Sequence, residues 1–176
     1  VEGANFGLAD GEDVEDELLV LAYNIERGLD LADQLAAFAD GTLPTPDVFL
    51  MSETDRGCSR TDFANVTWET AEALGMHYVF GVEFVELPRP GGGGGELTTT
   101  CEHGNAVLSR YPIGNVEVIR HAENLSWYLP PDEREDGEPR LGGRMMITAD
   151  VKVGDRYVHA ASVHYESRLS ALAVQE

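Results

Sequence analysis

Apolar residues in this chain gather in short unbroken runs, each closed by a polar or charged residue. Leu18–Tyr23 reads LLVLAY and stops at Asn24. Pro46–Glu53 reads PDVFLMSE, a turn signal, an apolar run and then a carboxylate. Runs of this kind predict buried strands, because a strand covered on both faces has no polar alternation. Between them, Leu31, Leu35 and Phe38 recur at helical spacing and predict a helix over Asp30–Asp40. Asp30 can cap its start, and Gly41 and Pro44 stop it. Strand, helix, strand in quick succession is a βαβ-like unit. The pattern leaves the strand direction open. If the strands are parallel and adjacent, Asn24 and Glu53 share one sheet edge. Ligands of open α/β sheets sit beyond the carboxyl ends of strands, so Glu53 stands where a catalytic or metal-binding carboxylate would be placed.

The remaining pattern continues the alternation of elements. Val66–Leu74 predicts a short helix ended by Gly75, with Trp68, Ala71 and Leu74 on one side. His77–Val85 and Asn105–Ser109 predict strands, and Val116–His121 alternates as if to pair with the second. Arg144–Val153 and Arg156–Val163 predict a hairpin around Gly154-Asp155, and the second runs straight into His164. The glycine tract within Pro88–Gly95 lacks the Gly-Lys-Ser/Thr of a phosphate-binding loop and predicts a disordered tip. Val1–Glu17, rich in acids with no base, predicts a disordered lead-in, with the fold beginning at Leu18. The order fits a single-domain α/β sandwich whose later strands are mostly antiparallel.

Composition narrows the partners. The 176 residues carry 12 Lys and Arg against 32 Asp and Glu, a formal charge of −20. Such an excess of acid repels a nucleic-acid backbone and suits extracellular or high-salt surroundings, where self-repulsion is screened. No apolar run reaches the roughly 18 residues that a membrane-crossing helix needs. Two cysteines, Cys58 and Cys101, are too few for a four-ligand zinc site, and sequence leaves their pairing open.

Several chemistries fail on spacing. His159 and His164 lie on opposite faces of a strand, no His-Glu-x-x-His helix exists, and nothing near Cys101-x-His103 completes a tetrahedron, so the pattern disfavours zinc. There is no Gly-x-Ser-x-Gly elbow and no Gly-x-Gly-x-x-Gly turn. Asn24, Glu53 and His164 remain, each at the end of an apolar run. A glutamate offers a hard oxygen to Mg²⁺, an asparagine amide orients water or phosphate without adding charge, and a histidine donates to a phosphate oxygen or moves a proton. Together they suit metal-assisted phosphoester hydrolysis.

The segments AYNIERG, PDVFLMSETDRG, EHGNAVLSRYPI, GGRMMITADVKV and ASVHYESR, in that order, resemble the endonuclease/exonuclease/phosphatase superfamily, which includes deoxyribonuclease-I-like nucleases, sphingomyelinases, inositol phosphatases and deadenylases. The resemblance spans about Leu18–Gln175, and Gly104–Pro112 is its most specific piece. It implies a deoxyribonuclease-I-like α/β sandwich and a Mg²⁺- or Mn²⁺-dependent phosphodiesterase or phosphatase. By that likeness Glu53 binds the metal, Asn24 lies at the metal–phosphate site, and His164, here in Val-His-Tyr, stands near the scissile phosphate. Arg168 matches an arginine that some members place by the substrate. Asn105 supports the site or packs at its edge, with contact to the substrate phosphate as the alternative, and Arg144 is read as structural.

The family's later motifs, Gly-Asp-x-Asn and Ser-Asp-His, have no counterpart after His164. The resemblance therefore implies the N-terminal two-thirds of a domain over residues 18–176, truncated before the last strands, without its general base and inactive alone. The acidic charge favours a small phosphoester, a lipid headgroup or a short nucleic acid as substrate over tight duplex binding. The alternative is a non-catalytic binding or scaffold domain of the same fold.

Overall fold

The computed structural model describes residues 1–7, 17–88, 97–122, 128 and 139–165. Two sheets face each other, and two helices cover the outer face of the larger one. That sheet holds β1 (Glu2–Ala4), β4 (His77–Glu86), β5 (Cys101–Ser109), β3 (Val48–Arg56) and β2 (Val20–Arg27) in spatial order, with β7 (Arg140–Gly142) also on β4. The smaller sheet runs β6 (Ile113–Arg120), β8 (Met145–Val153), β9 (Arg156–Val163). The helices are α1 (Leu31–Ala39) and α2 (Val66–Leu74).

β3 explains why the apolar runs are unbroken. Phe49 and Met51 enter the core beneath the helices, with Ile25, Phe38, Phe80 and Leu108. Val48 and Leu50 point the other way, into the core between the sheets, with Val107, Met145, Ile147 and Val151. A strand buried on both faces needs apolar side chains at odd and even positions alike. β2 and β3 are parallel, with Asn24 opposite Ser52. The α1 crossover therefore delivers Asn24 and Glu53 to one sheet edge. β8 and β9 form the expected antiparallel hairpin.

Five expectations are corrected. The fold begins before Leu18: Glu2–Ala4 pairs antiparallel with Tyr78–Phe80 of β4. Glu2 explains why an acidic segment can dock, since its carboxylate takes the Arg56 guanidinium, the Asn65 amide and the Tyr78 hydroxyl. Phe6 adds a face against Trp68 and Tyr78; residues 8–16 lie outside the described set. β2 is not buried, because β3 is its only partner among the described residues; Val20 is 50% exposed and Leu19 45%. Asp30 makes no side-chain cap on α1. Thr67 and Thr70, rather than Trp68, join Val66 and Ala71 on the buried side of α2. Finally, β6 pairs with β8 in the smaller sheet instead of with β5. The chain crosses between sheets at Arg110–Pro112, where Tyr111 is buried in the inter-sheet core.

Cys58 and Cys101 form a disulfide with Cα atoms 5.0 Å apart. It joins the turn after β3 to the start of β5, beside buried Leu97. The glycine tract, within residues 89–96, and Arg168 lie outside the described residues.

Candidate active site

Both strands that lead into the site break their register there. The β2–β3 pairing shifts between Asn24 and Arg27, and the β3–β5 pairing shifts between Met51 and Thr54. Inside these irregularities Glu26, Arg27 and Glu53 adopt left-handed backbone, with φ of 49°, 67° and 57°. Such conformations cost a non-glycine residue on the order of 1–3 kcal/mol and concentrate at functional sites. At Asn24 the side chain offsets part of this, since its Oδ1 accepts from the Glu26 backbone N–H at 2.9 Å. Bulges re-aim side chains, and here the Asn24 amide hydrogen-bonds the Glu53 carboxylate.

His164 follows β9 directly and arrives from the other sheet. Its Nε2 lies 3.5 Å from Oε1 of Glu53. Both side chains are partly open to solvent, 19% for His164 and 24% for Glu53. The motif residues Asn24, Glu53 and His164 are thus brought together by the fold. A cleft of about 300 Å³ runs beside them between β2, β3 and β9, lined by Ala22, Asn24, Ser52, Ala161 and Val163.

The electrostatics favour an ionised Glu53. Burial pushes its carboxyl up, but the Asn24 hydrogen bond and the nearby His164, His103 and Arg27 outweigh it, leaving the group below its ordinary range. His164 is pushed down to about 4, first by burial and then by the Arg144 guanidinium, with Glu53 opposing. At neutral pH His164 is therefore uncharged.

Two buried clusters stand behind this trio. Arg144, which sequence reasoning set aside as structural, places Nη1 2.8 Å from His164 Nδ1 and 3.3 Å from Glu83 Oε2. Glu83 is 1% exposed. Burial pushes its carboxyl up to about 7 against the pull of Arg144. In the second cluster Asp55 takes Arg60 through two hydrogen bonds, of 2.6 and 2.8 Å, and His103 Nδ1 at 2.8 Å. Burial raises the Asp55 carboxyl, but these partners carry it below its ordinary range. Glu83 carried no readable signal, being a lone acid inside a strand, and Asp55 and His103, although they lie in the quoted motif segments, were given no role. The Gly-Gly before Arg144 was the only local hint.

Asn105 sits deep in the larger sheet. Its amide donates to the Met145 carbonyl of the facing sheet at 3.2 Å, while its Oδ1 is buried with no hydrogen-bond partner among the described residues. It braces the two sheets behind the site. Gly104 beside it permits the close pairing of β5 with β4, because a Cβ there would lie 2.0 Å from the Gly81 carbonyl oxygen.

A divalent cation at this edge would be held through Glu53. Glu53 offers a hard, partly exposed carboxylate that suits Mg²⁺ or Mn²⁺ keeping most of its waters, while the Asn24 Oδ1 beside it already accepts from the Glu26 N–H. No group of three or more His, Cys, Asp or Glu among the described residues is placed to cage a metal. Asp55, the nearest further carboxylate in sequence, is already committed to Arg60 and His103.

No family model matches the chain, and no curated protein matches it. Solved structures similar to it include an endonuclease/exonuclease/phosphatase family protein from Leptotrichia buccalis C-1013-b, with 13% identity, TM-score 0.49, and 85% of this chain covered against 55% of that one. TDP2 from Caenorhabditis elegans is similar at 16% identity and TM-score 0.46, covering 93% of this chain and 40% of the other. A truncated form of that TDP2 gives 14%, TM-score 0.45, and 89% against 50%. The chain spans roughly two-fifths to just over half the length of these structures.

Proposed function

We propose that this chain carries the metal-binding part of a Mg²⁺- or Mn²⁺-dependent phosphoester hydrolase of the endonuclease/exonuclease/phosphatase superfamily. The observation that carries the reading is the meeting of Glu53 and His164 at 3.5 Å, with Asn24 on the Glu53 carboxylate. Three motif residues from distant segments converge at one partly open sheet edge. A cation on Glu53, when bound, supplies Lewis-acid stabilisation to a phosphoryl oxygen. Asn24 orients Glu53, and His164 presents its Nε2 toward the same space. Arg168 and Asn105 were read as lying near the substrate phosphate. In this proposal Asn105 supports the site and Arg168 lies near the substrate phosphate.

A phosphodiester, phosphomonoester or short nucleic acid fits the acidic chain better than duplex DNA, whose binding needs many cations. The proposal includes low turnover by this chain alone, because Asp55, the next carboxylate after Glu53 in sequence, is committed to Arg60 and His103. That same shortage of carboxylates favours the second reading, a binding or scaffold domain of this fold. Melting the chain with and without Mn²⁺, beside Glu53→Gln, tests the metal site. A Mn²⁺-dependent rise that Glu53→Gln abolishes is expected. Equal melting of both proteins in all conditions would remove the metal-dependent reading. Hydrolysis of a generic phosphodiester, with and without Mn²⁺, separates an enzyme from a scaffold.

A further inference from the structure

The geometry points to Arg144, anchored by buried Glu83, as a positioning residue that fixes His164 in one tautomer, with its Nε2–H turned toward Glu53. The argument begins with donor chemistry. A guanidinium has hydrogens on every nitrogen and no acceptor. Arg144 Nη1 lies 2.8 Å from His164 Nδ1, so Arg144 donates and Nδ1 offers its lone pair. A neutral imidazole that accepts at Nδ1 carries its proton on Nε2. That nitrogen lies 3.5 Å from the Glu53 carboxylate. His164 is therefore built to donate into the site and not to withdraw a proton from it.

The guanidinium cannot wander. Arg144 is 4% exposed, and Glu83 Oε2 holds Nη1 at 3.3 Å. Its plane lies over the Phe84 ring, 5.2 Å from the centroid. Arg120 ties the neighbouring backbone, donating from Nη1 to the carbonyl of Gly143 at 3.2 Å. These contacts set Arg144 before any ligand arrives.

His103 supplies an internal contrast. Its Nδ1 faces Asp55 Oδ1 at 2.8 Å, and an ionised carboxylate only accepts. His103 therefore carries its proton on Nδ1 when neutral. The two rings are held in opposite tautomers by opposite partners, a cation for one and an anion for the other.

The functional consequence rests on the proposed hydrolase reading: His164 would serve as a hydrogen-bond donor to a phosphoryl oxygen. The tautomer itself does not. It is measured on the ¹⁵N-histidine-labelled chain at pH 8 by long-range ¹H–¹⁵N correlation, without substrate. His164→Gln and His103→Gln assign the two rings by loss of signal. The expected result is Nε2–H for His164 and Nδ1–H for His103. Arg144→Met should release His164 to a tautomer mixture and leave His103 unchanged. Should Arg144→Met fold poorly over unpaired Glu83, the Glu83→Gln/Arg144→Met pair carries the same expectation. Nδ1–H or a mixture at His164 in the unmodified chain, or a His164 pattern indifferent to loss of Arg144, overturns the inference. Absence of hydrolysis would count against the proposed function and leave the tautomer assignment standing.

Discussion

Ser162 on β9 donates a 2.7 Å hydrogen bond to the carbonyl of Met51 on β3, 111 residues away in the chain. The bond is buried and crosses from the smaller sheet to the larger. It lies two residues before His164 on one strand and two before Glu53 on the other. The approach of His164 to Glu53 is thus braced by a contact just behind it.

Ser162→Ala should cost about 1–2 kcal/mol, the usual consequence of removing a buried hydrogen-bond partner. It should also weaken Mn²⁺ binding, because the two sheets lose the bond that sets their spacing beside the site. Urea unfolding reads the first effect and Mn²⁺ titration the second. Unchanged Mn²⁺ affinity would confine Ser162 to stability.

Glu53→Gly should raise stability by roughly 1 kcal/mol, because glycine adopts φ of 57° without the steric cost that glutamate bears. The same change should eliminate the Mn²⁺-dependent rise in melting temperature. A variant that is more stable yet blind to metal would show strain held for function. Paired melts with and without Mn²⁺ give both readings.

The pH dependence of stability should contain two opposed contributions. Glu83 moves from an ordinary 4.5 up to about 7, so the folded chain keeps a proton that the unfolded chain releases. That contribution is full below about 4.5 and fades as pH rises through 7. His164 moves from 6.5 down to about 4, and its contribution is lost as pH falls from 6.5 through 4. Glu83→Gln removes only the first. The stability of this variant relative to the unmodified chain should therefore climb between pH 4.5 and 7, measured by melts across that range.

Removing residues 1–7 should lower the melting temperature by several degrees, since about 1 kcal/mol shifts a chain of this size by roughly 2–4 °C. The cut strips β4 of a strand partner and Arg56 of the Glu2 carboxylate. Glu2→Ala alone should give a smaller fall in the same direction, because it leaves the β1 pairing intact.

Replacing Cys58 and Cys101 together by serine should cost about 2–4 kcal/mol, the usual range for a native cross-link. The bridge closes a sequence separation of 43 residues and ties β3 to β5 beside the Asp55–His103 pair. Chemical denaturation of the variant against the oxidised chain measures it. Unchanged stability would place the cross-link outside the cooperative unit.

Local pattern was enough for much of the architecture. The runs ending at Asn24 and Glu53, the α1 spacing, Gly75 and the Gly154-Asp155 turn each report a nearest-neighbour preference, and the elements formed where they pointed. Asn24, Glu53 and His164, read from their order along the chain as candidates, are brought together by the fold. Errors arose where an element's partner is remote. β1 is too short to show a period, and its partners lie more than 70 residues on. The exposure of β2 follows from its place at the sheet edge, which no apolar run announces. β6 alternates as either sheet would require, and only the chain's crossing after β5 assigns it to β8.

Burial made the remaining distinctions. Arg144 and Glu83 are ordinary charged residues in the primary structure. They become the setting of His164 because desolvation makes each charge need a partner, and three-dimensional packing leaves them each other and the imidazole. A residue's chemical type is local, whereas its proton inventory depends on neighbours that only long-range pairing supplies.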